Sequence, residues 1–419
     1  MAAIEASNTR FAALGYRNFR MIWWGSIVSN MGTWMQNVAN GWLVLQLTNS
    51  PLWLGLMGFS FAVPMILIPP FAGAVVDRVH RIRLLIFTQS MQLLNALALA
   101  LLTWTGRVQV WHILVNSFIG ALLLAFDNPA RQALIPDLVD HRDLLNALSL
   151  NAATYTGAAL IGPALAGILL EPIGAGTLYF LNSLSFLAVI IPLTLIRGVP
   201  THGGSQQGSL FDSFLAGIRY VGGHRLIMAL LGLSAMGAIF GRSYQSLLPV
   251  FSRDIWQTGP QGYGYLLAAA GAGALVGAFG LASFKQVPHQ GALMLVSGLL
   301  FSGSLALFSI SPSFGAGLFF LFVAGVTSTV YATVIATFIQ LSVPNEMRGR
   351  VMSLYTVTLI GLPSLGALGI GAFAEWLGGV EGAPKAVLLG AIVLAVILLL
   401  AVPMFWKQDL PVRQTPGSR

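Results

Sequence analysis

The sequence predicts an all-α membrane protein with twelve transmembrane helices arranged as two six-helix bundles. Two features of the composition favour this class: 56% of the 419 residues are hydrophobic, and only 8% are charged. Apolar runs of about 18 or more residues recur along the chain, and a run of that length can cross a bilayer as a helix. Short segments of alternating polarity are not seen, so a transmembrane β-barrel is not predicted.

The twelve spans are placed by apolar runs of about 20 residues, the length that crosses a hydrocarbon core of about 30 Å. The first six spans are predicted at 21–47, 52–76, 82–104, 109–133, 146–170 and 174–196. The second six are predicted at 226–252, 261–283, 290–310, 314–341, 351–376 and 384–406. The chain therefore divides into a cytoplasmic N-terminus (1–20), two bundles (21–196 and 226–406), a linker (197–225) and a cytoplasmic tail (407–419).

The linker begins with the polar run GVPTHGGSQQGS and continues as an apolar pattern. Leu210, Phe214, Leu215, Ile218 and Val221 recur at helical spacing. This pattern predicts a helix that lies in the membrane interface between the two bundles.

The distribution of basic residues predicts the orientation. With twelve spans the two termini share one side, which receives seventeen basic residues, whereas the opposite side receives three. The seventeen are Arg10, Arg17, Arg20, Arg78, Arg81, Arg83, Arg131, Arg142, Arg197, Arg219, Arg225, Lys285, Arg348, Arg350, Lys407, Arg413 and Arg419, and the three are Arg107, Arg253 and Lys385. Because basic residues concentrate in cytoplasmic loops, both termini are predicted to be cytoplasmic.

The same composition excludes several kinds of site. The net charge of +8 is explained mainly by topology, so we predict no nucleic-acid partner. The chain has no cysteine and therefore no disulfide, thiolate metal site or thiol nucleophile. No phosphate-binding GxxxxGK[ST] loop is present, so ATP is not the direct energy source. We expect no enzyme activity, no cofactor and no metal site.

The two halves of the sequence resemble each other. Gln132, Pro136, Arg142, Ser149 and Leu150 follow the fourth span, and the same residue types follow the tenth span in the same order. The second set is Gln340, Pro344, Arg350, Ser353 and Leu354. Duplicated six-helix halves imply a central cavity and a two-state rocking motion.

Between the second and third spans lies the charged run GAVVDRVHRIR, which contains Gly73, Asp77, Arg78, Arg81 and Arg83. Its spacing resembles the loop signature of the major facilitator superfamily, although His80 stands where glycine is usual and Ile82 interrupts the basic pair. The resemblance implies a gate in which Asp77 contacts the facing helix of the other half while the cytoplasmic side is closed. The alternative is that the arginines serve only as topology signals.

Two further runs resemble exporters of this superfamily. The fifth span contains GAALIGPALAG, in which Gly157, Gly162, Pro163 and Gly167 match a glycine-rich export signature. The resemblance implies a conformational role tied to export, although glycine and proline are common in membrane helices in any case.

The other run, FDNPARQALIPDLV, is similar to the bacterial subgroup that includes the enterobactin exporter. Asp127 and Arg131 lie four residues apart in it, where an ion pair can form on a helix. We expect a latch shared with the loop that contains Asp77, and the alternative is a local neutralised pair.

Candidate substrate contacts come from polar residues on helix faces. Asn30, Thr33 and Asn37 lie on one face of the first span and are predicted to line a cavity, unless they act as hydrogen-bond links between helices. Arg242 lies inside the seventh span and is followed by Tyr244 and Gln245. An intramembrane charge favours a functional site. The alternative interpretations of Arg242 are a buried cation that is satisfied by other groups, or a kinked helix that brings the side chain near the outer interface.

Tyr155 and Tyr331 are lesser candidates for substrate binding, because aromatic residues in such helices more often serve packing. The coupling group is not evident in the sequence. Asp127 is the only acid well inside a span, and we assign it to the latch. Proton coupling is therefore implied mainly by the family resemblance, and facilitated diffusion remains open.

We predict a monomeric secondary transporter of the cytoplasmic membrane that exports a small organic compound, either a siderophore-like metabolite or an amphipathic drug. Its expected partners are the substrate, the lipid bilayer and protons. A uniporter or importer of the same fold is the alternative, and a non-transporting receptor or scaffold is a less favoured class.

Overall fold

The computed structural model describes residues 11–196, 210–284 and 289–406, without the side chains of residues 70, 73, 74, 77 and 210–214. Over these ranges the chain is helical and forms no strand. The α-helices are α1 (Arg17–Thr48), α2 (Pro51–Leu67), α3 (Pro69–Arg78), α4 (Arg81–Trp104), α5 (Val110–Leu134), α6 (Leu144–Leu195), α7 (Leu210–Gly222), α8 (Arg225–Met236), α9 (Leu248–Val250), α10 (Gly259–Ala282), α11 (Gln290–Ser309), α12 (Phe314–Ser342), α13 (Asn345–Ile360), α14 (Leu362–Trp376) and α15 (Ala383–Phe405).

These helices confirm the predicted all-α membrane class. Nine helical segments of the described chain are long and apolar enough to cross a membrane, and α2 is a shorter apolar helix. One of the nine segments, His141–Leu195, contains both the fifth and the sixth predicted spans. The two meet at Gly174, whose φ of 76° and ψ of 162° leave the helical region and turn the chain. Glycine adopts a positive φ without the steric cost that a Cβ would bring.

Three predicted spans are interrupted where the sequence pattern was continuous. The second span divides at Ile68 into α2 and α3, and Pro69 begins α3. The eleventh divides at Gly361 into α13 and α14. The seventh follows α8 with a π-helical turn (Gly237–Gly241) and a 3-10 segment (Arg242–Leu247). Such irregular turns leave backbone groups without their regular helical partners and change the direction of the side chains. They are therefore frequent at functional sites.

The chain forms two compact units. The first contains residues 1–47 and 63–207, and the second contains residues 48–62 and 208–419. The boundary between the two units falls within α2, and the predicted division into two six-helix bundles stays a prediction. The first part of α2 belongs to the second unit, whereas α3 belongs to the first.

The linker helix is present as α7, and residues 197–209 before it lie outside the described part. In the second unit α7 packs across α13, where a Cβ on Gly217 would lie 3.3 Å from the Cβ of Arg350. Leu215 and Ile218 of the apolar stripe are exposed. An exposed apolar stripe is what a helix in the membrane interface requires, and the interfacial position of α7 stays a prediction.

Candidate transport site

The first unit holds a buried ion pair near the end of α5. Asp127 is 3% exposed, and its Oδ2 accepts hydrogen bonds from Nε and Nη2 of Arg131 at 3.2 and 3.1 Å. Its Oδ1 accepts from Thr88 Oγ1 at 3.0 Å and from Gln89 Nε2 at 2.8 Å. Arg131 also donates from Nη1 to Ser26 Oγ at 2.8 Å. Both carboxylate oxygens are therefore engaged, and the pair joins α1, α4 and α5.

The charged run after the second span makes a separate contact. Arg81 donates from Nη1 to Asp137 Oδ2 at 2.7 Å and to the Ala133 carbonyl at 3.0 Å. The i,i+4 pair of Asp127 and Arg131 is present, and Arg81 pairs with Asp137 in the segment that follows α5. The latch shared with the loop that contains Asp77 stays a prediction.

The remaining residues of that run are placed as follows. Arg78 and Arg83 are exposed. Gly73 and Asp77 lie in α3, and their side chains lie outside the described residues. The gating role of Asp77 therefore stays a prediction.

A network of uncharged amides links four helical segments of the first unit. Gln36 on α1 donates from Nε2 to Asn116 Oδ1 at 2.9 Å and accepts at Oε1 from Asn182 Nδ2 at 2.7 Å. Asn116 and Asn95 each donate to the other's backbone carbonyl, at 2.9 and 3.0 Å. Ser185 Oγ donates to Asn182 Oδ1 at 3.0 Å. These buried groups satisfy one another, as polar groups inside a membrane must.

Sequence reasoning underestimated this network. Gln36 lies beside the predicted face of Asn30, Thr33 and Asn37. It forms hydrogen bonds to residues of α5 and α6, whereas the three residues of the predicted face differ from one another in their contacts. Asn30 donates to Thr154 Oγ1 at 3.4 Å, and Thr33 bonds its own helix at the Ser29 carbonyl. Asn37 is exposed. The signal that was available is the concentration of Asn and Gln in α1, α4, α5 and α6, but pairing depends on how these helices pack.

The export signature in α6 has an uneven environment. A Cβ on Gly162 would lie 2.6 Å from the Cβ of Trp34, so this glycine permits close approach of α1. A Cβ on Gly157 would meet nothing within 4 Å. Pro163 and Gly167 are buried, and α6 remains helical through Pro163. Close helix packing is therefore a property of Gly162 and does not extend to Gly157.

Tyr155 lies about two turns before Gly162 along the same helix and is 59% exposed. Its ring meets Trp34 edge to face, with centroids 6.3 Å apart. An exposed aromatic ring beside Asn30 and Thr154 places a flat apolar group next to neutral polar groups on this face of the first unit.

In the second unit, Arg242 begins the 3-10 segment that follows the π-helical turn. Its side chain is exposed, and among the described residues no acid forms an ion pair with it. Gln245, one 3-10 turn further on, is exposed as well. The break in the helix therefore presents a guanidinium and an amide together.

The two remaining tyrosines are packing residues. Tyr331 is 4% exposed, its hydroxyl donates to the Leu233 carbonyl at 2.8 Å, and a Cβ on Gly237 would lie 2.8 Å from its ring. Tyr244 is 3% exposed and packs against Phe308. Both side chains are buried in this structure, and their predicted part in substrate binding stays a prediction. Tyr331 instead supports the π-helical turn that leads to Arg242.

A family profile described as transmembrane secretion effector matches residues 8–416. The chain belongs to this family. The profile covers nearly the whole sequence, and the resemblance to the major facilitator superfamily that the three motifs predicted is confirmed. The protein is thus a multi-pass membrane transporter and not an enzyme.

Curated relatives in this family are named for the transport of small molecules. The staphyloferrin A transporter of Staphylococcus aureus is 25% identical over 81% of this chain and 85% of its own length. The multidrug efflux pump Tap of Mycolicibacterium fortuitum is 23% identical over 85% of this chain and 88% of its own. The enterobactin exporter EntS of Escherichia coli is 24% identical over 95% of this chain and 94% of its own.

A solved structure with the same fold is the bacterial homologue of the human lysosomal transporter Spinster. It matches with a TM-score of 0.74 over 98% of this chain and 100% of its own, at 15% sequence identity. At this identity the match supports the fold alone, and it agrees with the helices described above.

Proposed function

We propose that this transporter exports a small organic compound across the cytoplasmic membrane by alternating access, coupled to the inward movement of protons. The names of the relatives, a multidrug efflux pump and an enterobactin exporter among them, support export of a siderophore-like metabolite or an amphipathic drug. The count of basic residues supports an orientation in which both termini are cytoplasmic.

The observation that carries the proposal is the exposed guanidinium of Arg242 at a helix break. A charge inside a membrane span is costly unless it faces water, a partner or a ligand. The described acids leave Arg242 without an ion pair, so a carboxylate or phenolate on the cargo is its natural counterpart. Gln245 beside it supplies a neutral donor and acceptor.

Residues of the first unit are separate candidates for contact with the cargo. Asn30, Thr33 and Asn37 offer neutral hydrogen-bonding groups, and Tyr155 offers an exposed ring. None of these four residues carries a charge. We therefore propose a cargo with both an anionic group and an uncharged, partly aromatic body.

Facilitated diffusion is the second candidate, and the environment of Asp127 favours it. Proton antiport usually relies on a carboxylate that gains and loses a proton between the two access states. Both oxygens of Asp127 already accept hydrogen bonds, Oδ2 from Arg131 and Oδ1 from Thr88 and Gln89, so this carboxylate is engaged within the first unit. The coupling group, if protons drive transport, lies elsewhere.

The experiment is transport in proteoliposomes with a panel of carboxylate, catecholate and neutral amphipathic compounds, with and without an imposed pH gradient. We expect Arg242→Ala to reduce transport of the anionic compounds by about tenfold or more, because a hydrogen bond to a charged group is lost. Arg242→Lys should keep part of the activity, and Lys385→Ala, at an exposed site on α15, should be neutral.

Three outcomes discriminate the alternatives. A transport rate that is the same with and without the imposed pH gradient would support facilitated diffusion. Equal loss in Arg242→Ala and Lys385→Ala would remove Arg242 from the site. Absence of flux for every compound, with correctly folded protein, would contradict export.

A further inference from the structure

We infer that Glu375 is a positioning residue for transport: it holds the first turn of α2 against the last turn of α14 and thereby keeps the outer end of the transporter closed. This inference rests on the proposed alternating access. It concerns a contact within the second unit, to which both the start of α2 and the whole of α14 belong.

The contact is a pair of hydrogen bonds to one carboxylate oxygen. Glu375 Oε2 accepts from Ser50 Oγ at 2.7 Å and from the backbone N–H of Leu52 at 3.4 Å. The first N–H groups of a helix have no partner within that helix. Since Pro51 has no N–H, Leu52 provides the first donor of α2, and a residue distant in sequence supplies the cap.

The dipoles of the two helices act on the Glu375 carboxylate in opposite directions. A carboxylate is stabilised at the positive N-terminal end of α2 and is disfavoured at the negative C-terminal end of its own helix, α14. The Glu375 carboxylate is therefore stabilised electrostatically while α2 is in contact with it, and this stabilisation is lost when α2 moves away. The residue before Ser50 is also held, because Arg253 donates to Asn49 Oδ1.

The backbones of α2 and α14 are in close contact below this cap. A Cβ on Gly371 would lie 2.6 Å from the Pro51 carbonyl oxygen, and a Cβ on Gly55 would lie 2.6 Å from that of Ala367. A Cβ on Gly58 would lie 2.9 Å from the Ala367 side chain. Three glycines thus remove side chains from the contact, which lets the surfaces separate without disengaging interlocked groups.

The chain around α2 allows such a separation. The helix contains Pro64 and ends at Leu67, and α3 begins two residues later and belongs to the first unit. Because proline removes a helix hydrogen bond, this stretch is where a bend costs least. By the count of basic residues, the Glu375 end of α14 faces outside. Release of α2 from Glu375 would therefore open the outer end.

The experiment uses the absence of cysteine, which makes the whole chain a background for thiol labelling. Leu54 is fully buried and precedes Gly55, which contacts α14, so the rate at which Leu54→Cys reacts with a membrane-impermeant maleimide should report how often α2 leaves its packed position. The label is added outside to right-side-out membrane vesicles. The matched control is Glu381→Ala, since Glu381 is an exposed glutamate only six residues from Glu375 and has no described hydrogen bond.

We expect Glu375→Ala and Ser50→Ala each to raise the labelling rate of Leu54→Cys about two- to fivefold, the range that an exposed charged contact supports. Glu381→Ala should leave it unchanged. An unchanged rate in Glu375→Ala, or an equal rise in Glu381→Ala, overturns the inference. If Glu375→Ala elutes as aggregated protein, Ser50→Ala decides the question by the same criterion.

Transport is measured in the same vesicles to separate this inference from the proposed function. Transport by the Leu54→Cys parent together with labelling that is independent of Glu375 and Ser50 contradicts only the role of Glu375. A parent that transports no compound of the panel contradicts the proposed function itself.

Discussion

Asp127 and Arg131 form a buried ion pair one helical turn apart on α5, with Nη2 of Arg131 3.1 Å from Oδ2 of Asp127. The carboxylate is further tied to α4 through Thr88 and Gln89, and the guanidinium is tied to α1 through Ser26. One pair therefore joins three helices of the first unit. This explains why the acid and the base occur together in this part of the first unit.

Breaking this pair should be costly. Asp127→Asn removes the counter-charge of Arg131, whose side chain is 18% exposed, and we expect a loss of about 1.5–3 kcal/mol in the free energy of unfolding. Thermal unfolding in detergent measures the effect. Asp140→Asn is the control, because Asp140 pairs with Arg142 at an exposed site where the two side chains are 62% and 71% exposed. A loss for Asp140→Asn as large as that for Asp127→Asn would refute the special role of burial.

The amide network predicts a difference between two glutamines of α1. Gln36→Ala removes bonds to both Asn116 and Asn182, so we expect a loss of about 1–3 kcal/mol. Gln46→Ala, at an exposed position on the same helix, should change the free energy of unfolding by less than about 0.5 kcal/mol. Chemical or thermal unfolding of the two purified variants gives the comparison, and equal stabilities would contradict the network.

Two glycines of the export signature should respond in opposite directions to the same substitution. Gly162→Ala forces a Cβ to within 2.6 Å of the Trp34 Cβ, and overpacking of this kind costs about 1–3 kcal/mol. Gly157→Ala enters open space on a helix, where alanine is favoured over glycine by about 0.5–1 kcal/mol. Thermal unfolding should rank Gly157→Ala above the parent and Gly162→Ala below it, and the reverse order would contradict this packing.

The N-terminal turn predicts a pH dependence outside the membrane. Burial and the hydrogen bond that Tyr16 donates to Asp143 raise the pKa of the Tyr16 phenol above its ordinary value of about 10. A raised pKa means that the contact stabilises the folded state at pH values below about 10 and loses this contribution as pH rises through the folded-state pKa. Thermal unfolding at pH 8 to 11 should show a steeper alkaline loss in the parent than in Tyr16→Phe. Parallel curves for the two proteins would be the contrary result.

The sequence predicted most of the fold because membrane insertion is read from local composition. The length of each apolar run and the polar residues at its ends determine where a helix can cross, and the predicted spans agree with the described helices to within a few residues at most ends. The family resemblance rested on short motifs, which are likewise local. The ion pair of Asp127 and Arg131 was predictable because residues four apart meet on any helix.

The partners of individual polar groups could not be predicted in the same way. Thr33 and Gln36 look equivalent in the sequence, but Thr33 bonds to its own helix and Gln36 bonds to two others. Tyr331 is a candidate binding residue by its sequence position, and in the structure its hydroxyl donates a hydrogen bond to the Leu233 carbonyl. In each case the outcome depends on which face of a helix meets its neighbour.

The sequence by itself determined the class of protein, the approximate positions of its apolar helices and the family, and it predicts the orientation. Only the tertiary structure showed that the second span is divided between two units, that the seventh span breaks at Arg242, and that Glu375 caps a helix more than 300 residues away in the chain. The physical reason is that hydropathy and helical periodicity act over one or two turns. Hydrogen bonds and close glycine contacts form between segments that folding brings together.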